Sequence, residues 1–122
     1  MINNKFDIQL KRGLAAENLL HKRLAGAKIE LKTETFQWEQ TGNIAIEFQC
    51  NGKPSGIAVT EADFWCHELR RGDDTLVYLL YPTNILKDAV RQLYRRGNVV
   101  TGGDGGRSSM VLFPIEEIVK IL

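Results

Sequence analysis

The first periodic pattern in the chain has helical spacing. Four leucines fall within one arc of a helical wheel at about 100° per residue: Leu10, Leu14, Leu20 and Leu24. This pattern predicts an amphipathic helix whose leucines face a core. Glu17 projects from the middle of the same arc. A carboxylate on a core-facing stripe costs free energy unless it is paired, hydrogen-bonded or bound to a metal, so we expect Glu17 to have a partner.

The pattern then changes to the alternation that is typical of strands. Residues 28–34 and residues 44–49 both alternate apolar and polar side chains, which predicts two strands. The segment EQTGN between them is typical of a turn, so the strands are expected to form a hairpin. Regular pairing would place Glu30 nearly opposite Glu47, and a bulge would shift this register by one residue.

Three further elements are predicted before the last glycine-rich segment. Thr60 followed by Asp63 is typical of a capping box and predicts a helix over residues 61–69. The apolar run over residues 75–81 predicts a strand that is buried on both faces. Proline before residue 83 and glycine after residue 96 predict a helix between them.

The end of the chain completes the predicted architecture. A glycine-rich loop is expected over residues 101–109, followed by a strand over residues 109–113 and a short helix to the end of the chain. The predicted order of elements is helix, hairpin, helix, strand, helix, strand, helix. This order favours an α/β fold in which a mixed β-sheet is flanked by helices on both faces.

Composition places the chain among small globular proteins. With 122 residues, 43% hydrophobic and 25% charged, residues 1–122 are expected to form a single domain. The formal net charge of +1 does not by itself indicate a polyanionic partner. Cys50 and Cys66 lack the neighbours that a zinc site requires, and no apolar run approaches the roughly 18 residues of a membrane span. We therefore expect a cytoplasmic protein that does not enter a membrane.

The predicted hairpin and first helix would bring three carboxylates together. Glu30 and Glu47 lie on its two strands, and a packed helix would add Glu17. Carboxylate oxygens with water are what Mg²⁺ or Mn²⁺ prefers. Lys32 lies on the same strand face as Glu30, where it is suited to orient an attacking water.

A solvated strand face offers an ordinary explanation for the same charges. Alternating acidic and basic residues on a strand usually form cross-strand ion pairs in water. Such a face gives no reason for an acid in the apolar stripe of the preceding helix, whereas a metal site does. Glu17 therefore favours the metal site.

At these residues the sequence resembles the PD-(D/E)XK nuclease superfamily. The stretch "E…IELK…TGNIAIEFQ…KPSGIAVTEADFW" is similar to small phage- or prophage-type members that carry an E-x-K strand, a TGN turn, a second acidic strand and an SGI..T.ADFW segment. The resemblance covers about residues 14–81. It implies a restriction-endonuclease-like core.

The resemblance allows two assignments of the catalytic motif. In the first, Glu30 and Lys32 form the E-x-K pair itself. In the second, which we prefer, Glu30 is the first-strand acid, Glu47 with Gln49 is the second-strand acid-x-lysine pair, and the lysine has moved to Lys32. Gln49 then stands where the family has lysine. Glu17 resembles the helix acid of many members.

The resemblance implies a divalent-metal-dependent endonuclease that hydrolyses DNA phosphodiester bonds. Mg²⁺ or Mn²⁺ would be bound by Glu17, Glu30, Glu47 and the backbone carbonyl of Phe48, with Lys32 positioning the water. We expect a homodimer, because one small domain offers little surface for gripping a duplex. The basic residues expected to contact DNA are Lys11, Lys53 and Arg107. The alternative is a nuclease-like module, weakened by Gln49, that only binds nucleic acid or a protein partner.

Overall fold

The computed structural model describes residues 4–122 and has the mixed α/β architecture that the sequence predicts. Its helices are α1 (Asn4–Leu24), α2 (Phe36–Thr41), α3 (Thr83–Arg95) and α4 (Ile118–Ile121). Its strands are β1 (Ile29–Glu34), β2 (Asn43–Cys50), β3 (Lys53–Pro54), β4 (Phe64–Arg71), β5 (Asp74–Pro82), β6 (Val99–Gly102) and β7 (Ser108–Pro114). Short 3₁₀ turns span Gly56–Ala58, Asp104–Gly106 and Ile115–Glu117.

The strands form two sheets, whereas the sequence predicted one mixed sheet. The first sheet has the order β1-β4-β5, with β1 parallel to β4 and β4 antiparallel to β5. The second has the order β3-β2-β7-β6 and is antiparallel throughout. The first two predicted strands therefore belong to different sheets.

The predicted hairpin between β1 and β2 is wrong, because a helix occupies the connection. α2 begins at Phe36 and ends where Gly42 adopts a left-handed conformation with φ of 71°. The indole nitrogen of Trp38 donates a hydrogen bond of 2.9 Å to the carbonyl of Arg70, at the far end of β4. The chain is thereby led away from β1, whose hydrogen-bonding partner is β4, and into the second sheet.

The predicted helix over residues 61–69 is also wrong, since β4 is a strand. The carboxylate of Asp63, expected to cap that helix, accepts a hydrogen bond of 2.9 Å from the backbone N–H of Lys28. This bond fixes the start of β1 beside the start of β4. Trp65, His67 and Leu69 then alternate along one buried face of β4, a spacing of two that the capping signal concealed.

Four other predicted elements are confirmed. The predicted strand over residues 109–113 lies within β7, and the short helix expected at the end of the chain is α4. The helix predicted from residue 83 is α3, and the predicted strand over residues 75–81 lies within β5. The expectation that this strand is buried on both faces is wrong, since Leu76, Tyr78 and Leu80 are exposed. β5 is an edge strand of a sheet that only one layer covers.

One hydrophobic core joins the two sheets and α3. The face of the first sheet that carries Trp65, Leu69 and Tyr81 is called the inner face here. It packs against Ile46 and Phe113 of the second sheet, and α3 adds four side chains to the same cluster: Leu86, Ala89, Val90 and Leu93. These layers cover the part of the inner face that carries Trp65, Leu69 and Tyr81.

α1 does not supply the core-facing stripe that its leucines predict. None of its residues is buried, and Leu10 and Leu14 are 51% and 50% exposed. The opposite face of the first sheet, called the outer face here, is likewise uncovered at Ile29, Leu31, Tyr78 and Leu80. Within residues 4–122, none of the helices combines the length and the apolar character that a bilayer crossing requires.

Candidate functional site

The charged face of β1 borders the inner face of its sheet. The parallel register pairs Glu30 with Trp65 and Lys32 with His67, and Glu34 follows at the same spacing. Paired residues of neighbouring strands project to the same side. The side chains of Glu30, Lys32 and Glu34 therefore project to the same side of the sheet as Trp65, His67 and Leu69. Glu30 and Glu34 are half-buried there, whereas Lys32 is exposed.

Glu30 and Glu34 are half-buried carboxylates without a bonding partner. Within residues 4–122, no group donates a hydrogen bond to either side chain and no cation lies within salt-bridge distance. Burial raises the pKa of Glu34, and the nearby charge of Lys32 partly opposes that shift. Half-buried carboxylates that the fold leaves unpaired are candidates for a functional site.

Lys32 is held over the aromatic surface between these two acids. Its Nζ lies 5.5 Å from the centre of the Trp65 ring, within the range of a cation–π contact. This contact fixes a positive charge on the same strand face as the two unpaired carboxylates. The predicted proximity of Glu30 and Lys32 is therefore present in the structure.

Behind Lys32 lies a buried polar network. The Trp65 indole nitrogen donates a hydrogen bond of 3.1 Å to Nε2 of His67, and Nδ1 of His67 lies 3.2 Å from the hydroxyl of Tyr81. Burial, with a smaller contribution from Lys32, lowers the pKa of His67 to about 4. Burial also raises the pKa of Tyr81 above its usual value, and Cys66 and Glu34 add to that shift. Both groups are neutral at pH 7.

Glu68, on the outer face, has a structural role. Its carboxylate accepts hydrogen bonds from the hydroxyls of Thr33 and Thr75, and these bonds, that of Thr75 first, lower its pKa. The bonds tie β1 and β5 to the central strand β4. Because its oxygens are satisfied, Glu68 is not a candidate ligand.

Glu17 is far less constrained than the sequence suggested. It lies in the middle of α1, a helix with no buried residue, and its side chain is exposed. The premise that Glu17 sits in a core-facing stripe is therefore wrong. A solvated carboxylate needs no partner, so its position no longer argues for a metal.

Glu47, Phe48 and Gln49 lie on β2, in the other sheet from Glu30. The hydroxyl of Ser55 donates a hydrogen bond of 3.0 Å to Glu47, and the backbone N–H of Ser55 donates one of 3.0 Å to the Phe48 carbonyl. The strand is irregular between Glu47 and Gln49, where its register against β7 shifts. The expectation that Glu30 lies opposite Glu47 is wrong, because these strands do not pair.

The acidic residues consequently do not form a cluster of carboxylates. Among the described residues, no group of three histidine, cysteine, aspartate or glutamate side chains is arranged to hold a metal ion. The three-carboxylate set of Glu17, Glu30 and Glu47 does not fit a metal in this structure. A site with a single protein carboxylate at Glu30 is the arrangement that the geometry leaves open.

The predicted DNA-contacting cations are exposed. Lys53 and Arg107 lie at the same end of the second sheet, because Cys50 pairs with Lys53 on one side and with Ser108 on the other. Lys11 lies on α1. These two parts of the molecule therefore offer basic side chains to solvent.

Sequence reasoning missed several residues around the candidate site. Glu34 continues the alternation of Glu30 and Lys32, so the signal for it was present in the chain. Trp65 and His67 also have strand spacing, but the capping signal before them indicated a helix.

No family model, no curated protein and no solved structure matches this chain.

Proposed function

We propose that this chain is a divalent-metal-dependent endonuclease that hydrolyses DNA, with its site on the charged face of β1. One observation carries the proposal: Glu30 is a half-buried carboxylate without a bonding partner among residues 4–122, and it lies two residues before Lys32 on the same strand face. An acid and a lysine at this spacing are also what the resemblance to the PD-(D/E)XK superfamily implies. The proposal uses the first assignment of the motif, in which Glu30 and Lys32 form the E-x-K pair.

Glu30 is the residue that would hold Mg²⁺ or Mn²⁺. Magnesium is often bound by one or two carboxylates, with water and substrate phosphates completing its coordination. When bound, such an ion supplies Lewis-acid polarisation of a phosphoryl oxygen. Glu34 lies four residues along the strand, about 13 Å away at the usual rise, and so cannot share an ion with Glu30. Lys32 lies between the two acids and offsets their charge.

Cleavage assays test this proposal directly. Supercoiled, linear, branched and single-stranded DNA are incubated with the protein in Mg²⁺, Mn²⁺ or EDTA. We expect metal-dependent cutting that Lys32→Ala and Glu30→Gln abolish. Lys28→Ala is the matched control, because Lys28 is exposed and precedes β1. Cutting that persists in EDTA, or in Lys32→Ala, would show that the site is elsewhere.

A second candidate function is nucleic-acid binding without hydrolysis. The specific observation in its favour is that Glu47 and the Phe48 carbonyl already accept hydrogen bonds from Ser55. Gln49, beside them, replaces the family's lysine. A module of this kind would bind DNA in EDTA and would show no rise in melting temperature with Mg²⁺ or Mn²⁺.

We also propose that two copies of the chain associate. The apolar face of α1 and the outer face of the first sheet are both uncovered, and both belong to the same chain. A two-fold arrangement in which α1 of one copy covers the outer face of the other would bury both faces at once. A second copy is therefore the occupant that fits both surfaces.

A further inference from the structure

A cavity of about 450 Å³ lies between α3, β2 and the 3₁₀ turn Gly56–Ala58. Its walls include the rings of Phe48 and Tyr94, the buried side chain of Ile57, and three cations of α3: Lys87, Arg91 and Arg95. Its volume lies in the range of small-molecule sites. It is separate from the charged face of β1, because none of its lining residues lies on β1.

The aromatic wall offers a flat surface to a ligand. The rings of Phe48 and Tyr94 meet edge to face, with centroids 5.6 Å apart and an interplanar angle of 89°. Phe48 thus supports Tyr94 from one side, while the Tyr94 side chain remains 58% exposed. A supported but exposed ring is suited to stacking against a planar group.

The three cations follow one line along α3. Lys87, Arg91 and Arg95 are spaced by four residues, so they lie on the same side of the helix. Arg91 forms an ion pair of 2.6 Å with Asp88, but both side chains are largely exposed and the pair is screened by water. Among the side chains that the structure describes, no acidic group lies within salt-bridge distance of Lys87 or Arg95.

Helix stability does not explain this line of charge. Like charges four residues apart on a helix are destabilising. Arg95 lies in the last turn, where the helix dipole favours a cation, but Lys87 and Arg91 lie earlier in the helix. A ligand that carries negative charge would remove the repulsion, and the neighbouring aromatic and apolar walls would hold a planar ring.

We propose that this cavity binds one unpaired nucleotide of a DNA single strand, with its base against Tyr94 and its phosphates among the three cations. A base within a duplex is stacked on both sides and cannot enter. Binding at this cavity requires neither metal nor Glu30, so it is independent of the proposed hydrolysis. Its test is therefore made in EDTA, where failure of cleavage has no influence on the result.

Fluorescence anisotropy of a labelled oligothymidylate tests the aromatic wall. We expect Tyr94→Ala to weaken binding by about 5- to 150-fold, because one base–aromatic stack is lost, and Tyr94→Phe to keep most of the affinity. Phe36→Ala is the matched control, because Phe36 is 62% exposed at the start of α2, outside the cavity and the outer face. The proposal is overturned if Tyr94→Ala binds like the unaltered protein, or if Phe36→Ala weakens binding equally.

The salt dependence of the same binding tests the cations. Each phosphate contact that is lost should reduce the slope of log K against log salt by about 0.7 for a single strand. We expect this reduction in Arg91→Gln and in Arg95→Gln, but not in Lys22→Gln, which removes an exposed charge from α1. An unchanged slope in both α3 variants, or equal binding of a blunt duplex of the same length, would overturn the proposal.

Discussion

The Trp65 indole nitrogen donates a hydrogen bond of 3.1 Å to Nε2 of His67. An indole N–H is only a donor, so Nε2 must act as the acceptor and the proton of the neutral imidazole lies on Nδ1. Nδ1 in turn faces the Tyr81 hydroxyl at 3.2 Å. A second proton on Nε2 would point at the indole N–H, and Lys32 adds a further positive charge nearby. His67 is therefore held in its neutral form.

This arrangement predicts that acid destabilises the protein through His67. The pKa of His67 is about 4 in the folded chain, whereas an ordinary histidine has a value of 6.5. Between these pH values the unfolded chain takes up a proton that the folded chain does not. The free energy of unfolding should thus fall as pH drops from about 6.5 to about 4, by up to about 3 kcal/mol from this group.

Urea denaturation at several pH values measures this effect. We expect His67→Gln to be less stable at pH 7 and to lose most of the pH dependence in that window. His21→Gln is the control, because His21 is exposed on α1. An equal loss of pH dependence in the control would show that His67 is not responsible.

Lys32 should influence His67 across the strand pair. Its charge contributes, after burial, to the lowered pKa of His67. Replacement by the uncharged Lys32→Met should therefore raise the pKa of His67, which NMR titration of the ring protons measures directly. Lys28→Met serves as a charge-matched control. An unchanged pKa in Lys32→Met would mean that Lys32 does not lie over the inner face.

Metal binding should depend on Glu30 and not on Glu47. If Mg²⁺ or Mn²⁺ binds the folded chain, an ion concentration about one hundred times the Kd adds about 2.7 kcal/mol to stability and raises the melting temperature. Glu30→Gln should abolish this rise. Glu47→Gln should retain it, because Glu47 lies in the other sheet and accepts its hydrogen bond from Ser55. Thermal denaturation with and without the ion distinguishes the two; the reverse pattern would favour the second assignment of the motif.

The sequence was sufficient where the signals are local. The proline and glycine that flank α3 predicted its bounds to within a residue, and the apolar run predicted β5. The alternation of Glu30 and Lys32 likewise placed both side chains on one strand face. These features depend on backbone preferences of neighbouring residues, which a single sequence contains.

The sequence did not predict which strands pair when they lie far apart in the chain. Whether β1 pairs with β2 or with β4 depends on contacts between residues that lie far apart in the chain, such as the bond from the Lys28 N–H to Asp63. The leucines of α1 predicted a helix correctly, but helical spacing cannot state whether the apolar face finds a surface in the same chain. The expected carboxylate cluster required both a hairpin and a packed helix. These two errors therefore explain why the described residues do not form it.

Gly56 should be far less tolerant of alanine than a glycine in open space. Its φ is 54°, and a Cβ there would lie 2.2 Å from the carbonyl oxygen of Glu47. Gly26 has φ of 73° but no atom within 4 Å of the same position. We expect Gly26→Ala to cost about 1 kcal/mol and Gly56→Ala more than about 2 kcal/mol. Denaturant unfolding compares them; equal costs would show that the turn does not approach β2 so closely.

Self-association should depend on the apolar faces of α1 and the first sheet. Leu14 on α1 and Leu31 on the outer face are 50% and 51% exposed, so either can accept a charge without disturbing the core. If a second copy covers these surfaces, Leu14→Glu and Leu31→Glu should each convert a dimer to a monomer, because a buried unpaired carboxylate is costly. Arg12→Glu, on the polar side of α1, should leave the dimer intact. Sedimentation velocity measures the change, and a protein that is monomeric before any substitution would contradict the proposed association.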